Sequence, residues 1–352
     1  YQYILDMSGF GTLDRFEIDG VEFQCRGVCS ALNLSTQGQI FTMRDCTINR
    51  PLNKGITSIG YGCQGMLLDN NLFMSNEMPS RAQDRVSIAL NANSNDTKLR
   101  NNTVIRFAQF AVLSGSYHVI TGNHFYAGDN EQNAVRQPGI TLTYPNCVSS
   151  ISNNYVDNCF IELANEHDAN PSWSNEYSFG GLSVTNNVFL VSNVISSFFV
   201  VKPMGQGHFL SGLVFTGNTL RTVNAAPQRA EAVDTTFADL DYSRFRNVSW
   251  ENNTYNGISI QTESPMVLRH DQNTATTSWA ITTGGKLPFD GWARTVSSLV
   301  MEGQANGPGA EIRTGMPYVN TQQGANSNEV RLTWPSTTRG RAVVTIRVDN
   351  PL

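Results

Sequence analysis

The sequence predicts an all-β protein, in which a right-handed parallel β-helix of about nine coils precedes a small antiparallel β-domain. Two observations predict the helix. A short phrase of the form apolar, any, Asn or Gly, Asn, any, apolar recurs along residues 1–256, and apolar residues alternate around it as in strands. In residues 257–352 the phrase stops, and alternating runs at Val330–Trp334 and Arg341–Val348, with glycine-rich turns elsewhere, predict the antiparallel cap.

The repeated phrase has an asparagine at its centre, as in MLLDNNLF at Met66–Phe73 and SSISNNYV at Ser149–Val156. Aligning all copies gives one equivalent position per repeat: Val21, Cys46, Asn71, Asn102, Asn123, Asn154, Asn187, Asn218 and Asn253. The intervals are 25, 25, 31, 21, 31, 33, 31 and 35 residues, which is typical of a solenoid. Leucines at fixed offsets and a helical apolar period are both missing, which excludes leucine-rich and helical repeats.

The physical role of these asparagines follows from coil stacking. Coils lie ~4.8 Å apart, so equivalent side chains form a ladder in which each amide donates to the next carbonyl. Asparagine also tolerates the left-handed backbone that a sharp corner requires. The alternative is that the Asn-Asn pairs only mark loops.

Each coil is expected to carry three strands: one before the asparagine, one after it and a third further along. The third strands are predicted at Ser87–Asn91, Phe110–Ser114, Ile140–Thr143, Ile161–Ala164 and Phe199–Lys202. Alternation places one row of residues on their outer face: Ala89, Val112, Thr141, Glu162 and Val200. Insertions lengthen the coils at Asn76–Arg85, Gly128–Pro138, Glu166–Phe179, Lys202–Phe209 and Val223–Arg244, and such insertions usually gather on a binding face.

Composition restricts the class of protein. Charged residues are 15% of the 352-residue chain, asparagines number 36 and the net charge is −5, which is typical of an extracellular or virion β-protein and does not suggest a nucleic-acid partner. No apolar run approaches ~18 residues, so no membrane insertion is expected. The opening YQYILDMSG already has strand character, so we expect a capping N-terminal part before it.

The six cysteines match no zinc pattern, and no phosphate loop or other metal motif is present, so neither a cofactor nor a metal is predicted. Buried free thiols inside the coils are the favoured interpretation. A disulfide between Cys25 and Cys29 is the alternative.

The segment Cys159–Phe179, CFIELANEHDANPSWSNEYSF, concentrates residues that could carry chemistry. The candidate catalytic residues are Glu162, Glu166, His167 and Asp168. The candidate substrate-binding residues are Trp173, Tyr177, Lys202, Tyr144 and Arg136. Aromatic rings stack on sugar rings and carboxylates accept bonds from hydroxyls, so together they predict one shallow groove for a linear polysaccharide.

Three interpretations of this segment remain open. A pair of carboxyl groups could hydrolyse a glycosidic bond, or a base and a cation could eliminate across an acidic sugar. The same residues could bind a sugar without chemistry. They could also be structural, with Glu162 pairing with Lys202 one coil away and the Glu-His-Asp turn fixing a loop.

The asparagine ladder resembles that of the pectate-lyase-like superfamily of right-handed β-helices. The stretches NCFIELANEHDANPSWSNEYSFGGLSVTNNVFL and VRLTWPSTTRGRAVVTIRVDNPL resemble polygalacturonase-related β-helix proteins of marine alphaproteobacteria and their phages, including tailspikes and gene transfer agent spikes. The catalytic motifs of the polygalacturonases and the calcium aspartates of the pectate lyases have no counterpart here. The resemblance implies a homotrimeric spike on a virion surface or outside the cell. Such a spike would bind capsule or lipopolysaccharide and join other virion proteins through its N-terminal part, with the C-terminal ending as a trimer cap.

Overall fold

The computed structural model describes residues 2–60, 62–75, 87–127, 137–174, 177–192, 197–224 and 226–351. The chain divides into two compact units. Unit 1 comprises Tyr1–His208, Leu213–Leu240 and Asn252–Ser259, and unit 2 comprises Phe209–Gly212, Asp241–Glu251 and Ile260–Leu352. The functional division into residues 1–256 and 257–352 stays a prediction.

Unit 1 is a parallel β-helix, which confirms the predicted fold class. Strands are numbered in chain order. Sheet I contains β1 Tyr3–Asp6, β5 Ser30–Asn33, β9 Lys54–Ser58, β13 Ile88–Asn93, β16 Gln109–Ser114, β19 Pro138–Leu142, β22 Phe160–Ala164, β25 Phe199–Lys202 and β28 Glu231–Val233. Sheet II runs through β3 Glu17–Asp19, β7 Thr42–Arg44, β11 Leu67–Asp69, β14 Lys98–Arg100, β17 Val119–Thr121, β20 Asn146–Ser152 and β23 Phe179–Thr185. Strand β26, Leu210–Thr216, spans both units.

Sheet III completes each turn. It contains β4 Glu22–Gln24, β8 Thr47–Asn49, β12 Leu72–Met74, β15 Thr103–Ile105, β18 His124–Tyr126, β21 Tyr155–Asp157, β24 Val188–Ser192, β27 Thr219–Val223 and β30 Thr254–Asn256. The prediction of three strands per coil is wrong for the first three turns. There the connection from sheet I to sheet II is itself extended, and it forms a small sheet from β2 Thr12–Asp14, β6 Gln37–Gln39 and β10 Cys63–Gln64.

The asparagine ladder is confirmed. From Asn102 to Asn253, each side-chain oxygen accepts the backbone N–H and the Nδ2–H of the preceding ladder asparagine at 2.9 to 3.1 Å. Toward the N-terminus the Cys46 N–H donates to Asn71 Oδ1 over 3.0 Å, and the Val21 N–H to Cys46 Sγ over 3.4 Å. Every ladder asparagine from Asn71 to Asn218 is at most 4% exposed, so these bonds satisfy amides that water does not reach.

The left-handed corner, however, lies one residue earlier than predicted. Positive φ angles occur at the residues that precede the ladder position: Gly20, Asp45, Asn70, Asn101, Gly122, Asn153, Asn186, Gly217 and Asn252. The ladder residue needs its own N–H and side chain aligned with the stack. The turn is therefore made by its exposed neighbour, where asparagine or glycine adopts φ > 0 with little strain.

The register of sheet I confirms that Glu162 points outward. Thr141 pairs with Glu162, which pairs with Val200, while Ile161 and Leu163 on either side of Glu162 are fully buried. The prediction that Ala89 belongs to the same outer row is wrong. Leu90 pairs with Ala111, so Asn91 stands opposite Val112 and Ala89 is fully buried.

The six cysteines are free thiols, and five of them are buried; Cys29 is partly exposed. Cys25 and Cys29 are not bonded to each other, so the disulfide alternative is wrong. Burial in the coil interior raises the pKa of the Cys25 thiol to about 12, which keeps it protonated.

Unit 2 contains an antiparallel sheet in which β31 Met266–Thr282 and β32 Thr295–Met301 flank β34 Glu329–Arg347, and β33 Tyr318–Gln323 also pairs with β34. The unit also contains β29 Arg246–Glu251 and two short 3-10 helices, Tyr242–Arg244 and Pro288–Asp290. The two alternating runs that the sequence shows near its end are one long strand, because both pair with β31. The core of unit 2 includes Trp279 and Trp334, whose ring centroids lie 4.9 Å apart.

No helix among the described residues is long and apolar enough to span a membrane.

Candidate functional site

The connections from sheet I to sheet II stack along one edge of the β-helix, which we call the I–II edge. Three successive connections on this edge enclose a cleft in unit 1. They are residues 143–145, 165–174 with 177–178, and 203–208, and they follow β19, β22 and β25. The cleft has a volume of about 510 Å³, within the range of ~300–1,000 Å³ that is common for ligand pockets. It is lined by Tyr144, Pro145, Asn146, Asp168, Asn170, Ser172, Trp173, Ser174, Tyr177 and His208.

His208 anchors the walls of this cleft. Its ring is 1% exposed, its Nδ1 lies 3.0 Å from Ser178 Oγ, and its Nε2 contacts the Pro171 carbonyl oxygen. Because a carbonyl only accepts, Nε2 carries the proton and Nδ1 accepts from the Ser178 hydroxyl. Burial lowers the pKa of His208, although the Pro171 carbonyl and Asp168 oppose that shift, so the neutral ring is the form the site holds.

Asn165 ties the second connection to the third. Its Oδ1 accepts the Met204 N–H over 2.7 Å, and its Nδ2 donates to the Met204 carbonyl over 3.1 Å. The Trp173 N–H donates to the Gln206 carbonyl over 2.7 Å. At Gly205, φ is +109° and an added Cβ would lie 2.4 Å from the Pro171 carbonyl, so the two connections approach closely at that point. These contacts fix the wall that presents Trp173.

The chemistry of the cleft combines aromatic rings with one carboxylate. Tyr144 is 46% exposed and Tyr177 58% exposed, while the Trp173 indole is half-buried with its ring centroid 6.1 Å from that of His208. Asp168 is partly exposed, and its Oδ1 accepts the Asn170 N–H over 2.9 Å. Rings of this kind pack on apolar faces, and a carboxylate accepts hydroxyl protons, so the cleft can hold a sugar.

A second group of charged residues lies on the outer face of sheet I. Partial burial raises the pKa of Glu162, the Lys202 ammonium opposes that shift, and the carboxylates of Glu166 and Asp234 add to it. Lys202 Nζ lies 3.5 Å from Asp234 Oδ2, and no ion pair between Lys202 and Glu162 is found among the described residues. Asp234 also accepts the Thr236 hydroxyl over 2.5 Å and the Thr236 N–H over 3.0 Å. The pKa of Asp234 is lowered first by the bond from this hydroxyl and further by the Thr236 N–H and Lys202, while burial opposes the shift.

The structure therefore distributes the predicted site residues over two places. Tyr144, Asp168, Trp173 and Tyr177 line the cleft, with His208. Glu162 and Lys202 lie on the outer face of sheet I, where they interact electrostatically with each other and with Glu166 of the connection after β22. These three are not among the described residues that line the cleft.

His167 belongs to neither group. His167 is exposed, with Nδ1 2.7 Å from Thr143 Oγ1, so it holds the start of the connection after β22 against the preceding turn. Arg136, like most of the insertion Gly128–Pro138 and all of Asn76–Arg85, lies outside the described residues. Within the described part of the chain, no group of three or more His, Cys, Asp or Glu side chains could hold a metal ion.

The sequence pattern does not predict the roles of Asp234 and His208. Asp234, the ion-pair partner of Lys202, directly follows β28, and Lys202 is the last residue of β25. The strand register aligns VVK at Val200–Lys202 with AVD at Ala232–Asp234, and this alignment in the sequence is the signal that places Lys202 opposite Asp234. The anchoring role of His208 has no local signature, because its partners Ser178 and Pro171 are 30 and 37 residues away.

No protein-family model matches the chain, and no curated protein matches it. Among solved structures, a tailspike protein mutant of E. coli bacteriophage HK620 in complex with pentasaccharide is 12% identical, with a TM-score of 0.43 over 95% of this chain and 70% of that chain. The tailspike protein gp49 from Pseudomonas phage LKA1 is 10% identical, with a TM-score of 0.30 over 96% of this chain and 67% of that chain. At such identities the similarity concerns the β-helix fold alone.

Proposed function

We propose that the chain is a polysaccharide-binding spike of a phage or phage-like particle, which attaches to the host surface through the cleft on the I–II edge. One observation carries the proposal. The connections after β19 and β22 place Tyr144, Trp173 and Tyr177 around one cavity together with the Asp168 carboxylate.

The arrangement suits a sugar for physical reasons. A buried aromatic ring removes ~150–250 Å² from water, and the apolar face of a pyranose ring offers a flat surface of matching shape. Sugar hydroxyls then need acceptors and donors at the rim, which Asp168, Asn146 and Asn170 supply. The hydrogen bonds of His208 with Ser178 and Pro171, and those of Asn165 with Met204, hold the rim in place before binding, which lowers the entropy cost of association.

Several finer statements extend this proposal and rest on the family resemblance. The ligand would be capsule or lipopolysaccharide, the spike a homotrimer, and the C-terminal domain a trimerisation cap. An N-terminal part would join it to other virion proteins, as in the pectate-lyase-like spikes of tailed phages and gene transfer agents. Analytical ultracentrifugation of the purified chain tests the trimer, because a monomer at micromolar concentration would contradict it.

The binding proposal is tested with an array of bacterial capsular polysaccharides and lipopolysaccharides. Wild-type protein should bind at least one of them, and Trp173→Ala should weaken that binding roughly thirtyfold, since a central aromatic anchor contributes ~2 kcal/mol or more. Tyr318→Ala is the matched control, because Tyr318 is 70% exposed and lies in unit 2. Absence of binding by the wild type, or an equal affinity of Trp173→Ala, would overturn the proposal.

The second candidate function is a polysaccharide depolymerase, and the raised pKa of Glu162 favours it. A carboxyl that keeps its proton at higher pH can act as a general acid, and the neighbouring Glu166 could serve as the second carboxyl of a hydrolase. A lyase would need a cation such as Lys202 to bind the carboxylate of a uronate. Because Lys202 already forms an ion pair with Asp234, hydrolysis is favoured over elimination. Incubation should shorten the bound polysaccharide, and Glu162→Gln should stop the shortening without changing affinity. Unshortened polysaccharide across pH and metal conditions would exclude the depolymerase.

A further inference from the structure

The first three turns of unit 1 carry a second groove, which has no part in the site described above. Its volume is about 350 Å³, and it is lined by Thr12, Asp14, Gln37, Gly38, Gln39, Gly62 and Gln64. Thr12, Asp14, Gln37 and Gln39 are exposed. Carboxamide and hydroxyl groups each donate and accept, so this surface can pair with a ligand that alternates donors and acceptors at short intervals.

The lining residues are held in register from turn to turn. Asp14 and Gln64 both pair with Gln39, and Thr12 pairs with Gln37. Asp14 Oδ1 accepts the Gln39 N–H over 2.9 Å. Adjacent rows therefore repeat at the coil spacing of ~4.8 Å, which is close to the length of one sugar residue in a chain.

The groove and the cleft lie on the same edge of the helix. Strands β2, β6 and β10 are the connections from sheet I to sheet II in turns one to three, and the cleft is built from the same connections in turns six to eight. Three coil spacings, about 14 Å, separate the turn of Gln64 from the turn of Tyr144.

Polar and aromatic residues continue along the edge between the two cavities. Gln64 Oε1 accepts the Asn95 N–H over 2.8 Å, and Asn95 Oδ1 accepts the Ser116 N–H over 2.9 Å. Next to Ser116, the Tyr117 side chain is 56% exposed, and its N–H donates to the Cys147 carbonyl over 2.9 Å. Cys147 directly follows Asn146 of the cleft, so turns four and five connect the groove to the cleft.

From these contacts we infer that the groove is a second subsite, and that one polysaccharide chain lies along the I–II edge and contacts both cavities. This inference rests on the proposed function of the cleft. The ligand class is an uncharged, hydroxyl-rich segment, because amide and hydroxyl groups line the groove and Asp14 and Asp168 would repel an anionic sugar. The distance from the turn of Thr12 to that of His208 is seven coil spacings, or roughly 34 Å, so about eight sugars would fill the edge.

The experiment measures affinity as a function of chain length. The probe is the polysaccharide that wild-type protein binds most tightly on the array, cut into fragments of about three sugars and of at least about eight. The double variant Gln37→Ala/Gln39→Ala should bind the long fragment about tenfold more weakly than the wild type does and the short fragment equally well. Only the long fragment can contact the groove while it occupies the cleft, so only its affinity depends on the two glutamines. Gln24→Ala, an exposed glutamine of the first turn on sheet III, is the matched control.

The outcomes separate the two proposals. If the double variant binds the long fragment as well as the wild type does while Trp173→Ala loses it, the second subsite is wrong and the cleft stands. If Trp173→Ala keeps full affinity for both fragments, the proposed function fails first. An unchanged melting temperature in Gln37→Ala/Gln39→Ala shows that the change acts on binding rather than on folding.

Discussion

Replacing Asn154 with leucine tests the ladder directly, because leucine has nearly the same shape and leaves no large cavity. Asn154 is 4% exposed, and its carboxamide takes part in four hydrogen bonds. Its Oδ1 accepts the backbone N–H and the Nδ2–H of Asn123, both at 2.9 Å. Its Nδ2 donates to Asn187 Oδ1 over 2.9 Å and to the Ile120 carbonyl over 3.0 Å.

The magnitude follows from the groups that lose their partners. The Asn123 N–H would be left without an acceptor, while the Asn123 Nδ2 keeps the Leu99 carbonyl and Asn187 Oδ1 keeps the Asn154 N–H. One buried donor without a partner costs about 1–3 kcal/mol, and the weakened bonds add to this while the leucine methyls offset a part. We expect a loss of roughly 2–4 kcal/mol in the free energy of unfolding.

Scanning calorimetry and urea titration measure the effect. For a unit of this size the loss corresponds to a decrease in Tm of roughly 5–15 °C. Asn256→Leu is the control, because Asn256 is exposed and a surface change there should stay within about 0.5 kcal/mol. Equal stability of Asn154→Leu and Asn256→Leu would refute the argument that the ladder stabilises the helix through its amide bonds.

Two further predictions concern the site. Burial raises the pKa of Glu162 above 4.5, so the folded chain binds the carboxyl proton of Glu162 more tightly than the unfolded chain does. The stabilisation from this proton is complete below pH 4.5 and is lost as the pH rises through the raised pKa. Glu162→Gln should therefore raise Tm at about pH 7 and leave it unchanged at about pH 4, and an equal rise at both pH values would contradict this. Gly205→Ala should weaken polysaccharide binding and also lower Tm, since a Cβ at a backbone φ of +109° and 2.4 Å from the Pro171 carbonyl strains the connection and displaces the wall that carries Trp173; unchanged affinity on the array would show that this wall does not contact the ligand.

The fold could be predicted from the sequence because a solenoid repeats its own constraints. The repeated phrase predicts the ladder positions Asn71 to Asn253, since each must present an amide to the next at one coil spacing. The error of one residue in the left-handed corner has a physical origin. In an Asn-Asn pair both residues suit a corner, and only the hydrogen-bond geometry decides which of them turns the chain.

The candidate site was predictable only where it follows the regular strands. The outward direction of Glu162 and its neighbours Thr141 and Val200 follow from the pleat of sheet I. The separation of the cleft from the group around Glu162 could not be predicted from that pleat. The insertion after β22 is held by contacts with His208 and Gln206, which are distant from it in sequence. Long-range contacts of irregular segments leave no periodic pattern to read.

The β-helix combines regular strands with connections of variable length, and this combination explains how the scaffold can carry a specific site. The interval between ladder positions ranges from 21 to 35 residues, yet the donor–acceptor distance between N and Oδ1 stays at 2.9 to 3.0 Å. The connections therefore absorb the difference in coil length without disturbing the core. At the I–II edge the connection after β19 has three residues and the one after β22 has fourteen, although the last three residues of β19, 140–142, pair one to one with residues 161–163 of β22. Length can vary freely at that edge because the ladder carries the stability, and a long connection there adds aromatic and acidic groups beside a surface that already repeats at the spacing of a sugar chain.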